Sequence, residues 1–142
     1  MKDYKLRIIL VFTLLFIFII TIFFKNQFSI PEYLHNIGFI ICAIGMIFII
    51  AGIVTLGEYF TTSIIPKGLV TTGIYSKIRH PMFIGAILVY IGIEVIFQSI
   101  IGFLFVIFVL IPFFIYSAIE EEKMLSEKFK EKYTVYKKKT LF

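Results

Sequence analysis

Residues 82–119 read MFIGAILVYIGIEVIFQSIIGFLFVIFVLIPFFIYSAI, an apolar run that contains a single charged residue, Glu94. One continuous helix over this run would be about 57 Å long, nearly twice the ~30 Å thickness of a hydrocarbon core. The run therefore has to fold back on itself. The predicted bend is marked by Gln98, Ser99 and Gly102.

Two further apolar runs precede this hairpin. Hydrophobic residues make up 60% of the chain and charged residues 16%, which is more apolar side chain than a soluble domain of this size can bury. The first run has no small-residue cleavage site after it, so we expect a retained span rather than a signal peptide. We predict an all-α, integral membrane helical bundle of about four transmembrane helices in a single domain. The predicted spans are residues 8–24, 37–56, 82–97 and 100–118, within a domain of residues 1–142.

Charged residues concentrate outside these spans. Residues 57–81 form a predicted loop, and residues 119–139 form a predicted amphipathic helix with a narrow apolar stripe. We expect this C-terminal helix to lie on the membrane surface, to cover a site there, or to do both. The stripe consists of Leu125, Phe129, Tyr133 and Tyr136.

The distribution of Lys and Arg predicts the orientation of the chain. Thirteen of the 14 lie near the N-terminus, in the loop or in the tail, and only Lys25 lies between the first two spans. Because positive charge is enriched on the cytoplasmic side, both termini are predicted to be cytoplasmic. The net charge of +5 then reflects topology. We expect the lipid bilayer and no nucleic acid as partners, because no basic stripe with interleaved aromatic residues occurs outside the tail.

Small residues recur at every seventh position in the second and third spans. This spacing lets two helices approach closely in lipid, so a packing seam is favoured over a ligand groove. The residues are Gly38, Gly45 and Gly52 in one span, and Gly85, Gly92 and Ser99 in the other.

The segment GIYSKIRHPMFIG, residues 73–85, is cationic and contains a helix breaker. Pro81 disfavours helix at His80 and suits the first turn of the helix that follows. Arg79 and His80 therefore lie on a loop just before the third span, where unpaired helix N–H groups favour an anionic ligand group. The plainer alternatives are that Arg79 anchors the loop to lipid phosphates and that His80 is structural.

Three carboxylates, Glu120, Glu121 and Glu122, follow the fourth span. Acidic side chains are common at a solvated helix start; the alternative is that one of them faces a bound cation.

Three other polar residues in or near the spans receive no role in the predicted site. Glu94 is a functional candidate by default because it lies within a span, but it is predicted to reach the outer interface. His35 is expected at the outer surface, and Cys42, the one cysteine, is expected to pack within the membrane.

The ordered segments LVTTGIY (69–75), RHPMFIG (79–85) and EE (121–122), followed by the apolar stripe of the tail, resemble the isoprenylcysteine carboxyl methyltransferase and phospholipid methyltransferase family. The resemblance extends from the central loop into the tail. It implies an integral membrane methyltransferase whose cofactor, S-adenosylmethionine, binds without a Rossmann domain. The chain has no G-x-G-x-x-G after a strand, in agreement with that expectation.

The resemblance also implies which residues form the site. The segment Lys67–Val70 is expected against the adenosine, and the residues around His80 are expected at the methionine and ribose portion. No metal is expected. The implied cofactor-binding residues are Lys67, Gly68, Leu69, Val70, Tyr75, His80, Pro81, Met82, Phe83, Glu121 and Glu122, and the implied catalytic residues are Arg79, His80 and Glu121.

Three positions depart from the family pattern. Ser117 stands where carboxyl-methylating members have an arginine thought to hold the substrate carboxylate, so an amine headgroup becomes as good a candidate acceptor as a prenylcysteine-like lipid. Lys130 replaces a usual glycine, and Phe83 replaces a usual tyrosine. The competing interpretations are an NADPH-dependent membrane sterol or enone reductase and a non-catalytic small membrane protein.

Overall fold

A computed structural model of the chain describes residues 2–29, 31–60 and 68–141, with side chains described from Ile8 onward. The described residues are mainly helical, and their only extended pairing is an isolated bridge between Ile78 and Leu141. The predicted all-α fold is confirmed. The helices are α1 (Lys2–Phe23), α2 (Glu32–Leu56), α3 (Pro81–Phe97), α4 (Ile100–Phe129) and α5 (Glu131–Lys139), with short 3-10 turns at Gly57–Tyr59 and Gly73–Ser76.

Among the described residues, α2 and α4 are long and apolar enough to cross a membrane, and α1 and α3 contain shorter apolar helices. The predicted single tail helix over residues 119–139 is two pieces in the structure: its first part belongs to α4 and its second part is α5. The helix that starts at Ile100 continues past the apolar segment to Phe129, and the break falls at Lys130. Lys130 has φ 47° and ψ −119°, a backbone conformation that suits glycine far better than lysine.

The turn between α3 and α4 confirms the predicted bend. Gln98 adopts the left-handed conformation, with φ 55° and ψ 42°, and its N–H caps the end of α3 through the carbonyls of Glu94 and Val95. Ser99 then caps α4, because its Oγ accepts a hydrogen bond from the Gly102 N–H at 3.0 Å. Gln98 and Ser99, two polar residues in the long apolar run, thus cap the two helices at the point where the chain reverses.

The glycine spacing predicts a packing seam, and α2 and α3 do pack along it. A Cβ added to Gly45 would lie 2.6 Å from the carbonyl oxygen of Gly85, and one added to Gly92 would lie 2.6 Å from that of Gly38. The two backbones therefore touch where a larger residue would separate them. Ser99, predicted to belong to this seam, instead caps α4.

The second arm of the hairpin contains an irregular turn. Val106–Leu110 is π-helical, and the Ile111 N–H bonds the carbonyl of Val106, five residues earlier. Pro112 follows at once, and its missing N–H is a common reason for such an irregularity. The irregular turn thus directly precedes Pro112.

Glu94 does not reach the outer interface, so that prediction is wrong. Its side chain is 0% exposed, and the Thr21 Oγ1 atom of α1 lies 2.7 Å from its Oε1. A Cβ at Gly102 would overlap the carboxylate. Glu94 is buried because Thr21 supplies a polar partner and Gly102 supplies the space.

Two apolar cores fix the positions of the site residues. The larger one joins α1 to α4 and consists of Ile17, Val106, Leu110 and Phe114, with Phe83 of α3 packed against it. The smaller one holds α5 against the end of α4 and consists of Leu125, Tyr133 and Tyr136, with Leu69 and Phe129 at its edge.

Candidate functional site

The site is built where α3 begins. His80 is the N-cap residue, with φ −124° and ψ 56°, and Pro81 occupies the first turn, as the sequence predicts. The preceding 3-10 turn, Gly73–Ser76, starts at a glycine with φ 53°. This turn and the proline fix the entry of the chain into α3, so that His80 is only 5% exposed.

The imidazole of His80 faces two carboxylates of α4. Its Nδ1 lies 3.4 Å from Oε2 of Glu121, and its Nε2 lies 3.5 Å from Oε1 of Glu122. The ring stacks on Phe83 at a centroid distance of 5.5 Å, and Phe83 stacks on Phe114 at 5.1 Å. A column of aromatic rings therefore leads from the two carboxylates to the larger apolar core.

The two carboxylates differ in their surroundings. Glu122 is 18% exposed and binds Arg79 Nε at 2.8 Å and Lys137 Nζ at 2.5 Å. Although burial acts to raise the pKa of Glu122, the hydrogen bonds from Lys137 and Arg79 outweigh it and lower the pKa below the ordinary value of 4.5. The side chain of Glu121 is 34% exposed. Glu121 is thus the more accessible carboxylate of the pair.

Arg79 also binds the end of the chain. Its Nη1 donates hydrogen bonds to the Thr140 carbonyl at 3.0 Å and to the Lys137 carbonyl at 3.3 Å. Its backbone N–H bonds the Leu141 carbonyl, and the Leu141 N–H bonds the carbonyl of Lys77. Residues 137–141, here called the C-terminal strap, are in this way fastened to the loop before α3.

Two tyrosines of α5, Tyr133 and Tyr136, are buried next to this cluster of charged side chains. The Tyr136 hydroxyl donates to the carbonyl of Tyr75 at 2.7 Å, and burial raises its pKa to about 12. Tyr133 is 1% exposed, and its hydroxyl has no hydrogen-bond partner among the described residues. Burial, and then the charge of Glu122, raise the pKa of the Tyr133 phenol above its ordinary value of 10.

The residues implied to form the site are brought together only in part. Arg79, His80, Phe83, Glu121 and Glu122 form one cluster, and Tyr75 joins it through Tyr136. The described hydrogen bonds of the Arg79 side chain go to Glu122 and to the strap. In the structure this predicted catalytic residue therefore holds the strap against α4.

The other implied residues lie around this cluster. A Cβ at Gly68 would meet the ring of Tyr59, and a Cβ at Gly52 of α2 would meet Met82. Pro81 is fully buried, and Leu69 packs on the smaller core. Val70 is half-buried, and Lys67 lies outside the described residues.

Sequence reasoning named Tyr133 and Tyr136 only as parts of an apolar stripe, and it assigned no role to Lys137, Thr140 or Leu141. The signal for the tyrosines was their burial-prone aromatic spacing in a lysine-rich tail. The strap gave no signal, because its contacts are made largely by backbone atoms.

The cluster offers a distinctive set of groups to a ligand. Glu121 is a partly accessible carboxylate for a cationic group, the His80 ring ends the aromatic column beside it, and the Tyr133 hydroxyl is a buried donor with no described partner. A carboxylate favours a cation. This chemistry fits a ligand that carries an ammonium or sulfonium group and an oxygen acceptor.

Comparisons with known proteins agree on the kind of protein. The sequence model of the phospholipid methyltransferase family matches residues 33–132. A solved structure of a eukaryotic intramembrane Ras methyltransferase, an isoprenylcysteine carboxyl methyltransferase, is similar to the chain with a TM-score of 0.64 and 26% identity. The match covers 96% of this chain and 50% of that protein, so this chain spans half its length. No curated protein sequence matches the chain.

Proposed function

The chain belongs to the phospholipid methyltransferase family, and from that premise we propose that it transfers a methyl group from S-adenosylmethionine to a lipid or prenylcysteine-like acceptor. The family match and the similarity to an intramembrane methyltransferase both support a membrane location, as do the apolar helices. A second function has no particular observation in its favour, and neither the reductase nor the non-catalytic interpretation gains support from the comparisons.

The main observation in support of the proposal is the contact between the side chains of His80 and Glu121. The two residues are 41 positions apart in sequence, yet Nδ1 of one lies 3.4 Å from Oε2 of the other. The sequence resemblance implies that both contact the cofactor, and their side chains lie next to each other in the fold. Their chemistry supports S-adenosylmethionine because an accessible carboxylate, the His80 ring and a buried hydroxyl lie in one cluster.

The residues of the chain would bind and orient rather than react covalently. S-adenosylmethionine supplies an electrophilic methyl group on its sulfonium. Glu121 would bind an ammonium group, the first turn of α3 would offer N–H groups to a carboxylate, and the His80 ring at the end of the aromatic column would lie beside the cation. Orientation of this kind can contribute about 7–11 kcal/mol in the best cases. The buried tyrosines of α5 and the strap would exclude water from this surface.

The proposal also covers the arrangement of the protein in the membrane. Both termini, the loop before α3 and the site would lie on the cytoplasmic side, because 13 of the 14 Lys and Arg residues fall on that face of the predicted topology. A lipophilic acceptor would then reach the site from the bilayer, and the cofactor would reach it from the cytoplasm.

The direct test uses the purified protein in lipid nanodiscs with methyl-labelled S-adenosylmethionine and a lipid extract. We expect a labelled lipid whose identification names the acceptor. Glu121→Gln and His80→Ala should each weaken cofactor binding, measured by calorimetry, by about tenfold or more, since each loses a contact to a charged ligand. The matched control is Glu127→Gln, an exposed carboxylate on the same helix, which should bind normally.

The outcome that removes the proposal is a folded wild-type protein that neither binds S-adenosylmethionine nor labels any lipid. Thermal stabilisation by NADPH but not by S-adenosylmethionine would favour the reductase interpretation, because a ligand raises the melting temperature of the state that binds it.

A further inference from the structure

Tyr133 is the feature that the proposed function leaves unexplained. It is the largest fully buried side chain among the described residues, at 1% exposure. Its hydroxyl nevertheless makes no hydrogen bond to any described residue. Burying a hydroxyl without a partner is costly, and most buried polar groups in folded proteins are paired. The buried Tyr133 hydroxyl, which has no partner among the described residues, is such an exception and needs a physical explanation.

The neighbouring tyrosine shows that burial in α5 does not itself prevent pairing. Tyr136 lies three residues further on, with its ring centroid 6.0 Å from that of Tyr133. Its hydroxyl reaches the carbonyl of Tyr75 at 2.7 Å. Of these two tyrosines on one face of a short helix, Tyr136 donates its hydroxyl proton within the chain, whereas Tyr133 has no acceptor among the described residues.

The position of Tyr133 shows where that donor is available. The apolar part of the ring packs with Leu125 and Tyr136 in the smaller core. Its hydroxyl is near enough to Glu122, Arg79 and Glu121 for their charges to act on it. A phenol has an ordinary pKa of about 10, and burial and Glu122 raise the pKa of Tyr133 further, so the hydroxyl carries its proton at neutral pH and is a donor.

The charged neighbours do not use this donor. The Glu122 carboxylate already accepts from Arg79 Nε and Lys137 Nζ. Glu121 lies beside His80 and is the partly exposed carboxylate of the site. A cationic group bound at Glu121 would therefore have the Tyr133 hydroxyl within the same cluster.

We propose that the Tyr133 hydroxyl donates a hydrogen bond to an oxygen of the ligand whose cationic group binds at Glu121, so that the site recognises a zwitterion. This inference rests on the proposed function and deepens it, since it assigns a ligand-binding residue. The shared chemistry, an ammonium group close to an anionic oxygen, has two sources: the amino-acid end of the cofactor and an amino-phosphate lipid headgroup.

The test compares Tyr133→Phe with Tyr136→Phe in the full-length protein. In the ligand-free protein, Tyr133→Phe removes an unsatisfied hydroxyl and should leave the melting temperature unchanged or raise it. Tyr136→Phe should lower the melting temperature, because it breaks the bond to Tyr75. A residue with a purely structural role would behave like Tyr136, so a clear fall in the stability of Tyr133→Phe would overturn the proposal.

The second measurement identifies the ligand. S-adenosylhomocysteine carries the amino-acid end, and 5′-methylthioadenosine lacks it. If the cofactor is the source, Tyr133→Phe should weaken binding of S-adenosylhomocysteine by about tenfold and leave 5′-methylthioadenosine binding unchanged. If the headgroup is the source, both nucleosides should bind normally, and the detergent-solubilised variant should bind the short-chain lipid dihexanoyl-phosphatidylethanolamine more weakly than wild type while binding dihexanoylglycerol equally well.

The outcomes separate this inference from the function beneath it. Normal affinity of Tyr133→Phe for both nucleosides and for both short-chain lipids overturns the role of Tyr133 while the methyltransferase proposal stands. A folded wild-type protein that binds no nucleoside and transfers no methyl group overturns both.

Discussion

The Nε atom of Arg79 lies 2.8 Å from Oε1 of Glu122, with the two side chains only 13% and 18% exposed. This ion pair joins the start of α3 to the part of α4 that extends beyond its apolar segment. Because Glu122 also binds Lys137 and Arg79 also binds Thr140, one carboxylate and one guanidinium hold the loop, the helix and the C-terminal strap together.

The pair should be energetically coupled. Arg79→Gln and Glu122→Gln should each lower the free energy of unfolding by about 1–3 kcal/mol, because each leaves a shielded charge without its partner. The double variant should lose less than the sum of the two, by about 0.5–3 kcal/mol. Denaturant unfolding of the detergent-solubilised protein measures all three. Strictly additive losses would show that the contact contributes nothing, and Lys132→Gln, an exposed charge on α5, is the control.

The same carboxylate predicts how stability depends on pH. The pKa of Glu122 is lower in the folded protein than its ordinary value of 4.5, so its ionised form stabilises the fold. This contribution is fully present above the unfolded-state pKa and is lost as the pH falls through the folded-state pKa. The difference in melting temperature between wild type and Glu122→Gln should therefore be constant from neutral pH to about pH 5 and shrink below pH 4.5. A difference that persists at low pH would contradict this assignment.

Lys130 offers a stabilising substitution. A residue with a Cβ at φ 47° and ψ −119° is strained by about 1–3 kcal/mol, whereas glycine adopts this conformation freely. Lys130→Gly should therefore raise the free energy of unfolding by about 1 kcal/mol. The control Lys132→Gly removes the same charge within α5 and should lower stability by about 1 kcal/mol. If both variants lose stability alike, the strain at Lys130 is not real.

Much of the fold could be predicted because its constraints lie in composition and length. An apolar run too long for one span must reverse, and Gln98, Ser99 and Gly102 mark the turn in the sequence. The glycine spacing likewise predicted the α2–α3 seam, because close backbone contact in lipid requires small residues. The family prediction is confirmed by the match over residues 33–132.

Features that depend on distant contacts could not be predicted. Helix α4 continues to Phe129 and ends at Lys130, where the backbone conformation is strained for a lysine. The family's usual glycine would have indicated a helix end at this position, but the lysine does not. For the site, His80 and Glu121 were named through the resemblance, and their roles there remain predictions. Only the fold could show their 3.4 Å contact, the contacts of the strap, and a Tyr133 hydroxyl with no partner among the described residues.

Glu94 is the clearest case of a property hidden from the sequence, because its partner Thr21 lies 73 residues away. The Thr21 hydroxyl lies 2.7 Å from Glu94 Oε1 and 2.8 Å from the Ile17 carbonyl oxygen. A hydroxyl has one proton, so Thr21 either shares it between the two acceptors or gives it to one of them. A neutral Glu94 carboxylic acid would supply the proton for the other contact, whereas an ionised Glu94 would only accept.

Substitutions at Glu94 should distinguish the neutral acid from a buried ion. Glu94→Gln keeps the shape and can donate from its amide, so it should leave the melting temperature unchanged or raise it. Glu94→Ala should lower the free energy of unfolding by about 2–4 kcal/mol, because it leaves a cavity and removes the partner of Thr21. Infrared difference spectra should show a protonated carboxyl band in wild type that is lost in Glu94→Gln. A Glu94→Gln variant as unstable as Glu94→Ala, without such a band in wild type, would show that the charged form is the one the fold requires.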